Sequence, residues 1–286
     1  MRLFKTLGIT LIAFSAFHIQ SASVWQVTSE NNTLYIGGTV HMLTPQDYPL
    51  PSEYDTAYRA SDKLIFETNI DALNSTENQQ KLAQVIMAND GITLDHKLSN
   101  RNITALKLYL ESRNVSFSSV QNFNPSFLSI YISIIELKHL GFTDQGVDWF
   151  YEQKAAQDNK PQTWLEEVEE QLAMLTSLEA VDHDTIIEYG LAELNKMPQA
   201  MDDIRSSWRS GDMDALAEVG LTELLVDYPN IYKTLLADRN HDWLPQIETM
   251  LDDDLVEFVL VGAMHLAGPD SVLMLLENKG YKVSKL

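Results

Sequence analysis

The stretches TLYIGGTVHML, residues 33–43, and EFVLVGAMHLAG, residues 257–268, carry the same pattern near opposite ends of the chain. In each, an apolar run typical of a buried strand leads into Gly-x-x-His, from Gly38 to His41 in the first and from Gly262 to His265 in the second. Glycine lacks a Cβ, so it lets the chain turn off a strand and lets a ligand or another backbone come close. The repeat predicts two strands that each present a histidine at the rim of a sheet.

Strand and helix signals around the two motifs predict that both ends of the chain feed one sheet. The N-terminal piece predicts strand, strand, helix and strand, from VWQVTS, TLYIGG, a helix that begins at Ser52, and KLIFE. The C-terminal piece predicts a continuously apolar strand EFVLVGA, a helix opened by Pro269 and closed by Gly280, and a final strand YKVSKL. The pieces therefore read as βαβ-like halves of one mixed sheet.

The long segment between these pieces has the apolar periodicity of helices, interrupted by PQTWLE at 161–166, which is predicted as a strand. No linker-like boundary divides it. The predicted fold class is mixed α/β, with N- and C-terminal halves that form one sheet and a large central helical insertion at about residues 71–254. Residues 24–286 are predicted to form a single domain.

The first residues have the pattern of a secretory signal peptide. Arg2 and Lys5 precede the apolar run TLGITLIAFSAF, which is too short for a membrane span of roughly 20 residues. The tripeptide SAS at 21–23 follows as a small-x-small cleavage site. We therefore expect residues 1–23 to be removed and the protein to be periplasmic or secreted, with no stable membrane anchor after cleavage. The alternative is a buried N-terminal helix.

Composition excludes several classes of function. The 286 residues include no cysteine, which excludes disulfides, thiol catalysis and cysteine-based zinc sites. The net charge of −21 makes this an acidic protein that phosphate backbones repel, so no nucleic-acid partner is expected. The acidic clusters EEVEE at 166–170 and DDD at 252–254 are interpreted as solvated faces.

Three predicted strands end in a side chain that can bind a metal ion: His41, Glu67 and His265. In open α/β sheets, ligand sites lie at the carboxyl ends of the strands. Two neutral imidazoles and one carboxylate suit a divalent ion that keeps positions open for water or substrate. The alternative is structural: each histidine caps a strand and bonds to backbone, and Glu67 is an ordinary strand-end carboxylate.

Arg239 is a further candidate, as an anion holder or transition-state stabiliser, because a guanidinium offers a fixed fork of donors. Its alternative is a helix-surface arginine paired with a carboxylate. His241 lies beside it, whereas His96, His139 and His183 are interpreted as surface or structural residues. No His-Glu-x-x-His, Gly-x-Ser-x-Gly, phosphate-binding loop or dinucleotide motif occurs in the sequence.

At these residues the chain resembles the TraB/GumN family, in the superfamily that includes the TIKI metalloproteases and pheromone-shutdown proteins. The resemblance covers nearly all of the chain after the signal segment. It rests on VWQVTSENNTLYIGGTVHMLTPQDYPLP, AYRASDKLIFETNID, DQGVDWFYEQKAAQDNKPQTWLEEVEEQLAML, SWRSGDMDAL, LLADRNHDWLPQI and FVLVGAMHLAGPDSVLMLLENKGYKV. Their order and spacing are specific for the family and much less specific for one activity.

The resemblance implies one cleft that gathers His41, Glu67, Arg239 and His265. It implies a divalent-metal-dependent hydrolase, TIKI-like and acting on a peptide or small-molecule substrate, with manganese or cobalt as the favoured ion and zinc as a further candidate. Glu67 and Arg239 are the implied catalytic residues, and Arg239 is expected near the developing oxyanion. Residues expected to support the site are Gly38, Gly262, Asn240, Glu166 and Asp148. Neither pattern supplies a general base.

Relatives in the superfamily include haem-iron binders and proteins that resemble macrolide-ring esterases, and fold resemblance does not fix chemistry. The sequence therefore keeps a second hypothesis, a non-catalytic protein that binds metal, haem or a peptide signal on the same scaffold. A third hypothesis is a purely structural role.

Overall fold

The computed structural model describes residues 21–73, 75–88, 90–177 and 182–286. Residues 1–20 of the predicted signal segment, which include His18, lie outside the described residues. Ala22 and Ser23, which the predicted cleavage removes, are buried. The Ser23 hydroxyl donates to the Trp208 carbonyl at 2.6 Å, and the Ser23 carbonyl accepts from the N–H of Gly38 at 2.8 Å. Cleavage directly after Ser23 therefore removes two residues that pack into the fold.

One mixed sheet joins the two ends of the chain. Its strands are β1 (Val24–Thr28), β2 (Thr33–Thr39), β3 (Lys63–Phe66), β4 (Gln162–Trp164), β5 (Glu257–Gly262) and β6 (Lys282–Lys285). They lie in the order β4-β3-β5-β2-β1-β6. β4, β3, β5 and β2 pair in parallel, whereas β1 pairs antiparallel with β2 and with β6. Because β5 is inserted between β2 and β3, the predicted sheet made from both ends of the chain is confirmed.

Helices fill the rest of the described chain and dominate the region between β3 and β5, as predicted. They are α1 Ser52–Ala60, α2 Ile70–Leu73, α3 Thr76–Ile86, α4 Leu94–Lys97, α5 Asn100–Ser112, α6 Phe117–Val120, α7 Pro125–His139, α8 Val147–Asp158, α9 Val168–Ser177, α10 His183–Glu193, α11 Met197–Ser210, α12 Met213–Gly220, α13 Thr222–Asp227, α14 Pro229–Tyr232, α15 Asp238–Met250 and α16 Val272–Asn278. Short 3₁₀ turns cover Pro45–Asp47 and Ala263–Leu266, and a π-helical segment, Lys233–Ala237, joins α14 to α15. No helix within these ranges is long and apolar enough to cross a membrane.

The sheet is covered on both faces, which is why β5 is apolar throughout. Phe258 and Leu260 pack into a cluster with α1, α8 and α11, whereas Val259 and Val261 pack into a second cluster with α15 and α16. A third apolar cluster joins α5, α7 and α10 within the helical region. Side chains along β5 alternate between the two clusters, which fixes the register of β5 in the sheet. The register in turn fixes the position of His265 beyond the end of the strand.

The C-terminal helix is shorter than predicted. It runs from Val272 to Asn278 and does not begin at Pro269. The hydroxyl of Ser271 accepts from the N–H of Met274 at 3.3 Å and so caps the first turn of the helix. Serine is a preferred N-cap residue, so the helix begins after Ser271. The other predicted strands lie where expected, including PQTWLE, which adds β4 to the sheet edge. Membership of residues 24–286 in a single domain stays a prediction.

Candidate functional site

Parallel pairing brings three of the predicted site residues to one edge of the sheet. Thr39 at the end of β2 lies opposite Gly262 at the end of β5, and the last residue of β3 lies opposite the neighbouring part of β5. His41 follows β2, Glu67 follows β3 directly, and His265 lies in the 3₁₀ turn after β5. The carboxyl ends of parallel strands share one edge, so these side chains lie close together.

His265 is held as a neutral imidazole. Its Nε2 lies 3.1 Å from Nη1 of Arg239, and because a guanidinium only donates, Nε2 must be the acceptor. The proton is then on Nδ1, which donates to Oδ1 of Asn240 at 2.6 Å. Burial lowers the pKa of His265 to about 3, and the ring packs on Trp243 with centroids 4.4 Å apart. This tautomer directs a lone pair towards Glu67 and Arg239.

Glu67 is held as a carboxylate by groups on both of its oxygens. Oε1 accepts from the N–H of Gly262 at 2.5 Å, and Oε2 accepts from Nη2 of Arg239 at 2.7 Å. Burial alone raises the pKa of a carboxyl. Here the charges of Arg239 and His41 and the N–H of Gly262 outweigh burial and hold the pKa of Glu67 below its ordinary value.

Arg239 joins the two carboxylates of the site and uses every N–H of its guanidinium. Besides Glu67 and His265, it donates to Oε1 of Glu166 at 2.7 Å, to Oε2 of Glu166 at 3.0 Å, and to the carbonyl of Leu235 at 3.1 Å. Leu235 belongs to the π-helical segment, and such segments often occur at functional sites. A guanidinium has five N–H groups. Arg239 can therefore face a substrate oxyanion only by giving up one of these bonds.

Glu166 corrects the interpretation of the first acidic cluster. It is 7% exposed, and Trp243 donates to its Oε1 at 2.8 Å in addition to the bonds from Arg239. Glu166 leaves the solvated face because it follows β4 at the same sheet edge and neutralises a buried cation. The other glutamates of the cluster are exposed, and so is the DDD cluster at 252–254.

His41 stands at the open side of the site. Its side chain is 64% exposed, and Nδ1 lies 2.9 Å from Oδ2 of Asp148 at the start of α8. The charge of Asp148 raises the pKa of His41, and solvent screens this exposed pair. Asp148 therefore orients the ring and directs Nε2 away from itself.

The missing side chain of Gly262 leaves the space in which these groups meet. A Cβ there would lie 3.1 Å from Oε1 of Glu67, 3.6 Å from Cδ2 of His265 and 3.8 Å from Nε2 of His41. Two imidazoles and a carboxylate around one space fit the chemistry of a divalent ion. In the present arrangement Arg239 donates to Oε2 of Glu67 and to Nε2 of His265, and no three His, Asp or Glu side chains in the described ranges are placed to hold an ion. Ion binding therefore requires Arg239 to release His265.

The remaining predicted residues have clear places. Asn240 holds His265 and also donates to the carbonyl of Asp270 at 2.8 Å. Gly38 serves packing, since a Cβ there would lie 3.1 Å from the Cβ of Ala263. His241 is 56% exposed and lies 4.0 Å from Asp270, so the structure does not bring it to the site.

The sequence did not predict two cavities in the cleft. One is a cavity of about 210 Å³ beside His41 and Glu67, lined also by Thr39, Thr68 and Asp148. The other is a larger cavity of about 360 Å³ that shares Thr39, His41 and Glu67 and is otherwise mostly apolar. Its wall includes Met174, Met201, Ile204, Leu216, Leu235 and Leu236. The sequence shows Thr39 next to Gly38, but it does not show that the Thr39 hydroxyl has no hydrogen-bond partner among the described residues.

Comparisons with known proteins support the family resemblance. The model of the TraB/PrgY/gumN family matches residues 23–285. YbaP, an uncharacterised protein of Escherichia coli K12, is 22% identical over 251 residues, which cover 86% of this chain and 88% of YbaP. No solved structure matches the chain.

Proposed function

The chain belongs to the TraB/PrgY/gumN family, and from that premise we propose that it is an exported, metal-dependent hydrolase that cleaves peptides or small amide-like substrates. The reaction centre is the cleft formed by His41, Glu67, Arg239 and His265. The observation that carries the proposal is the buried neutral His265, whose ring borders one space with the Glu67 carboxylate and Nε2 of His41, and whose own Nε2 lies 4.0 Å from Oε1 of Glu67. A purely structural histidine has no need of that convergence.

The proposed ligands of a divalent ion are His41, Glu67 and His265, with manganese or cobalt favoured and zinc as a further candidate. When bound, such an ion polarises a substrate carbonyl and lowers the pKa of a water molecule. Asn240 keeps the proton of His265 on Nδ1, so Nε2 stays an acceptor. Asp148 accepts from Nδ1 of His41 and orients that ring, so an ion that binds at Nε2 would displace the proton there; partners of this kind fix ligand orientation in metal sites.

The protein's own residues then provide orientation and charge. Arg239 balances Glu67 and Glu166 in the absence of ligand, and a substrate that displaces its bond to His265 receives a guanidinium N–H close to the scissile carbonyl. The apolar cavity beside the site removes water from that side of the substrate. Glu67 is a weak base because its pKa lies below its ordinary value, so proton transfer falls to a group outside the ligand set.

A peptide library with mass-spectrometric readout tests this proposal. The wild-type chain is incubated with Mn²⁺, Co²⁺ or Zn²⁺ and, in parallel, with a chelator. His41→Ala is the decisive variant, because a side chain that is 64% exposed can be removed without opening the core. His241→Ala, also exposed, is the matched control.

We expect metal-dependent cleavage by the wild type and by the control, and none by the folded His41→Ala protein. Cleavage that persists in His41→Ala places the chemistry elsewhere and refutes the proposal. A wild-type protein that binds an ion and cleaves nothing supports the non-catalytic binding hypothesis instead.

A further inference from the structure

Three buried oxygens in the cleft have no hydrogen-bond partner within the described part of the chain. They are Oγ1 of Thr39, Oγ1 of Thr68 and Oδ1 of Asp148. All three residues line the cavity of about 210 Å³ beside His41 and Glu67. Buried polar atoms in folded proteins are nearly always paired, so three in one cavity call for an explanation. Their common position points to a ligand that donates hydrogen bonds.

The burial of these unpaired oxygens distinguishes them from polar groups on the protein surface. Thr39 is 3% exposed, lies at the end of β2, and lines the cavity together with His41 and Glu67 of the proposed reaction centre. Asp148 has one oxygen, Oδ2, bonded to His41, which leaves Oδ1 as a pure acceptor with a negative charge behind it. A carboxylate oxygen in such a place demands a donor, and a positively charged donor satisfies it best.

The surroundings of the cavity are electronegative. Its described lining has two carboxylates, Asp148 and Glu67, and one basic side chain, His41, which is paired with Asp148. Glu152 lies one turn further along α8, and burial together with the charges of Asp71 and Asp148 raises its pKa to about 7. A negative field of this kind favours a cationic ligand.

The number and kind of unpaired oxygens in the cavity indicate which type of cation fits there. A primary ammonium has three N–H donors and no acceptor, which matches three unpaired oxygens. A hard metal ion such as Ca²⁺ needs roughly six to eight oxygen ligands, mostly carboxylate or carbonyl, and this cavity offers one free carboxylate oxygen and two hydroxyls. A guanidinium carries five donors and leaves two of them without partners here.

We propose that this cavity is a subsite for a primary ammonium group, so that the protein acts on amine-bearing substrates. The ammonium lies between Thr39, Thr68 and Asp148, the bond to be cleaved lies beside His41 and Glu67, and an apolar part of the substrate enters the larger cavity. The last two placements rest on the proposed hydrolase function, whereas ammonium binding does not. The ammonium comes either from the free amino terminus of a peptide or from an amine on a side chain.

Binding of small probes to the full chain without added metal tests the proposal apart from catalysis. L-Leucinamide carries an α-ammonium and an apolar side chain, and N-acetyl-L-leucinamide differs from it by the loss of that charge. Nα-acetyl-L-lysinamide carries its ammonium on a side chain. NMR titration or calorimetry gives the dissociation constant of each.

Thr39→Val and Thr68→Val remove only the two hydroxyls, and Thr104→Val on the exposed face of α5 is the matched control. Because neither cavity hydroxyl is bonded in the described structure, these variants should unfold at the wild-type temperature or above it. A loss of binding in them is then a loss of the subsite and not of the fold.

We expect one of the two amines to bind at least about tenfold more tightly than N-acetyl-L-leucinamide, which corresponds to one charge-assisted hydrogen bond. Each cavity variant should weaken that binding, and Thr104→Val should not. Tighter binding of leucinamide identifies an amino terminus, and tighter binding of the lysine probe identifies a side-chain amine. Equal binding of charged and acetylated probes, no binding of either amine, or binding that is unchanged in both cavity variants overturns the proposal. Amine binding without any hydrolysis leaves this subsite standing and removes the hydrolase.

Discussion

Glu257 is expected to make the protein less stable at neutral pH than at acid pH. It begins β5 at the end of the sheet opposite the candidate site and is 1% exposed. Its Oε2 has no hydrogen-bond partner among the residues that the structure describes. Burial, reinforced by the charge of Asp253, raises the pKa of Glu257 from its ordinary 4.5 to about 7.

The sign and size of the effect follow from proton linkage. Between pH 4.5 and about 7 the folded protein keeps a proton on Glu257 that the unfolded chain releases. The contribution of Glu257 to stability is therefore present below pH 4.5 and is lost as pH rises through this window, with no further loss above it. At about 1.4 kcal/mol for each pH unit of the window, the loss amounts to roughly 3 kcal/mol.

Glu257→Gln removes the charge and should remove this loss. Urea unfolding of wild type and variant at pH 4 and at pH 8 gives the difference in the free energy of unfolding between the two proteins. That difference should be small at pH 4 and should favour the variant by roughly 3 kcal/mol at pH 8, since other titrating groups are common to both proteins. Glu277→Gln, at an exposed position, is the matched control. If the free energies of unfolding of wild type and Glu257→Gln differ by the same amount at both pH values, the raised pKa assigned to Glu257 is wrong.

Three further predictions concern the site and its support. Asn240→Ala removes the acceptor of the His265 Nδ1 proton and should weaken divalent-ion binding by about 10- to 100-fold in calorimetry, and unchanged affinity contradicts the assigned tautomer. Gly262→Ala places a methyl group 3.1 Å from Oε1 of Glu67 and should abolish ion binding while circular dichroism stays that of the wild type; retained binding shows that the ion lies elsewhere. Tyr54→Phe removes a buried hydroxyl shared by three hydrogen bonds and should cost about 1–3 kcal/mol in urea unfolding, and a cost near zero argues against that network.

The convergence of the two Gly-x-x-His motifs could be predicted because it depends on local signals and one topological rule. Apolar runs mark β2 and β5 as strands covered on both faces, and parallel strands place their carboxyl ends at one edge. Glu67 followed from the same rule. These residues are positioned by the backbone, and the sequence pattern reports the backbone directly.

Contacts between distant helices could not be predicted from local sequence patterns, and only the family resemblance placed Asp148, Glu166 and Arg239 at the site. Asp148 meets His41 across 107 residues of chain, and Arg239 meets Glu166 across 73. Nothing in the local sequence indicates that Arg239 bonds through all of its N–H groups or that Glu166 alone leaves a solvated acidic cluster. These outcomes depend on the packing of the helical region against the sheet, which hydrophobic periodicity does not specify.

The proposed binding of a divalent ion by His41, Glu67 and His265 can be measured by calorimetric titration with Mn²⁺ or Co²⁺. The purified wild-type chain is compared with the His41→Ala/His265→Ala double variant. His41→Ala alone is included because its exposed side chain can be lost without disturbing the core, and circular dichroism confirms that each protein is folded. We expect a single ion bound per wild-type chain and no binding by the folded variants. No ion uptake by the wild type, or equal uptake by the folded variants, contradicts the proposal.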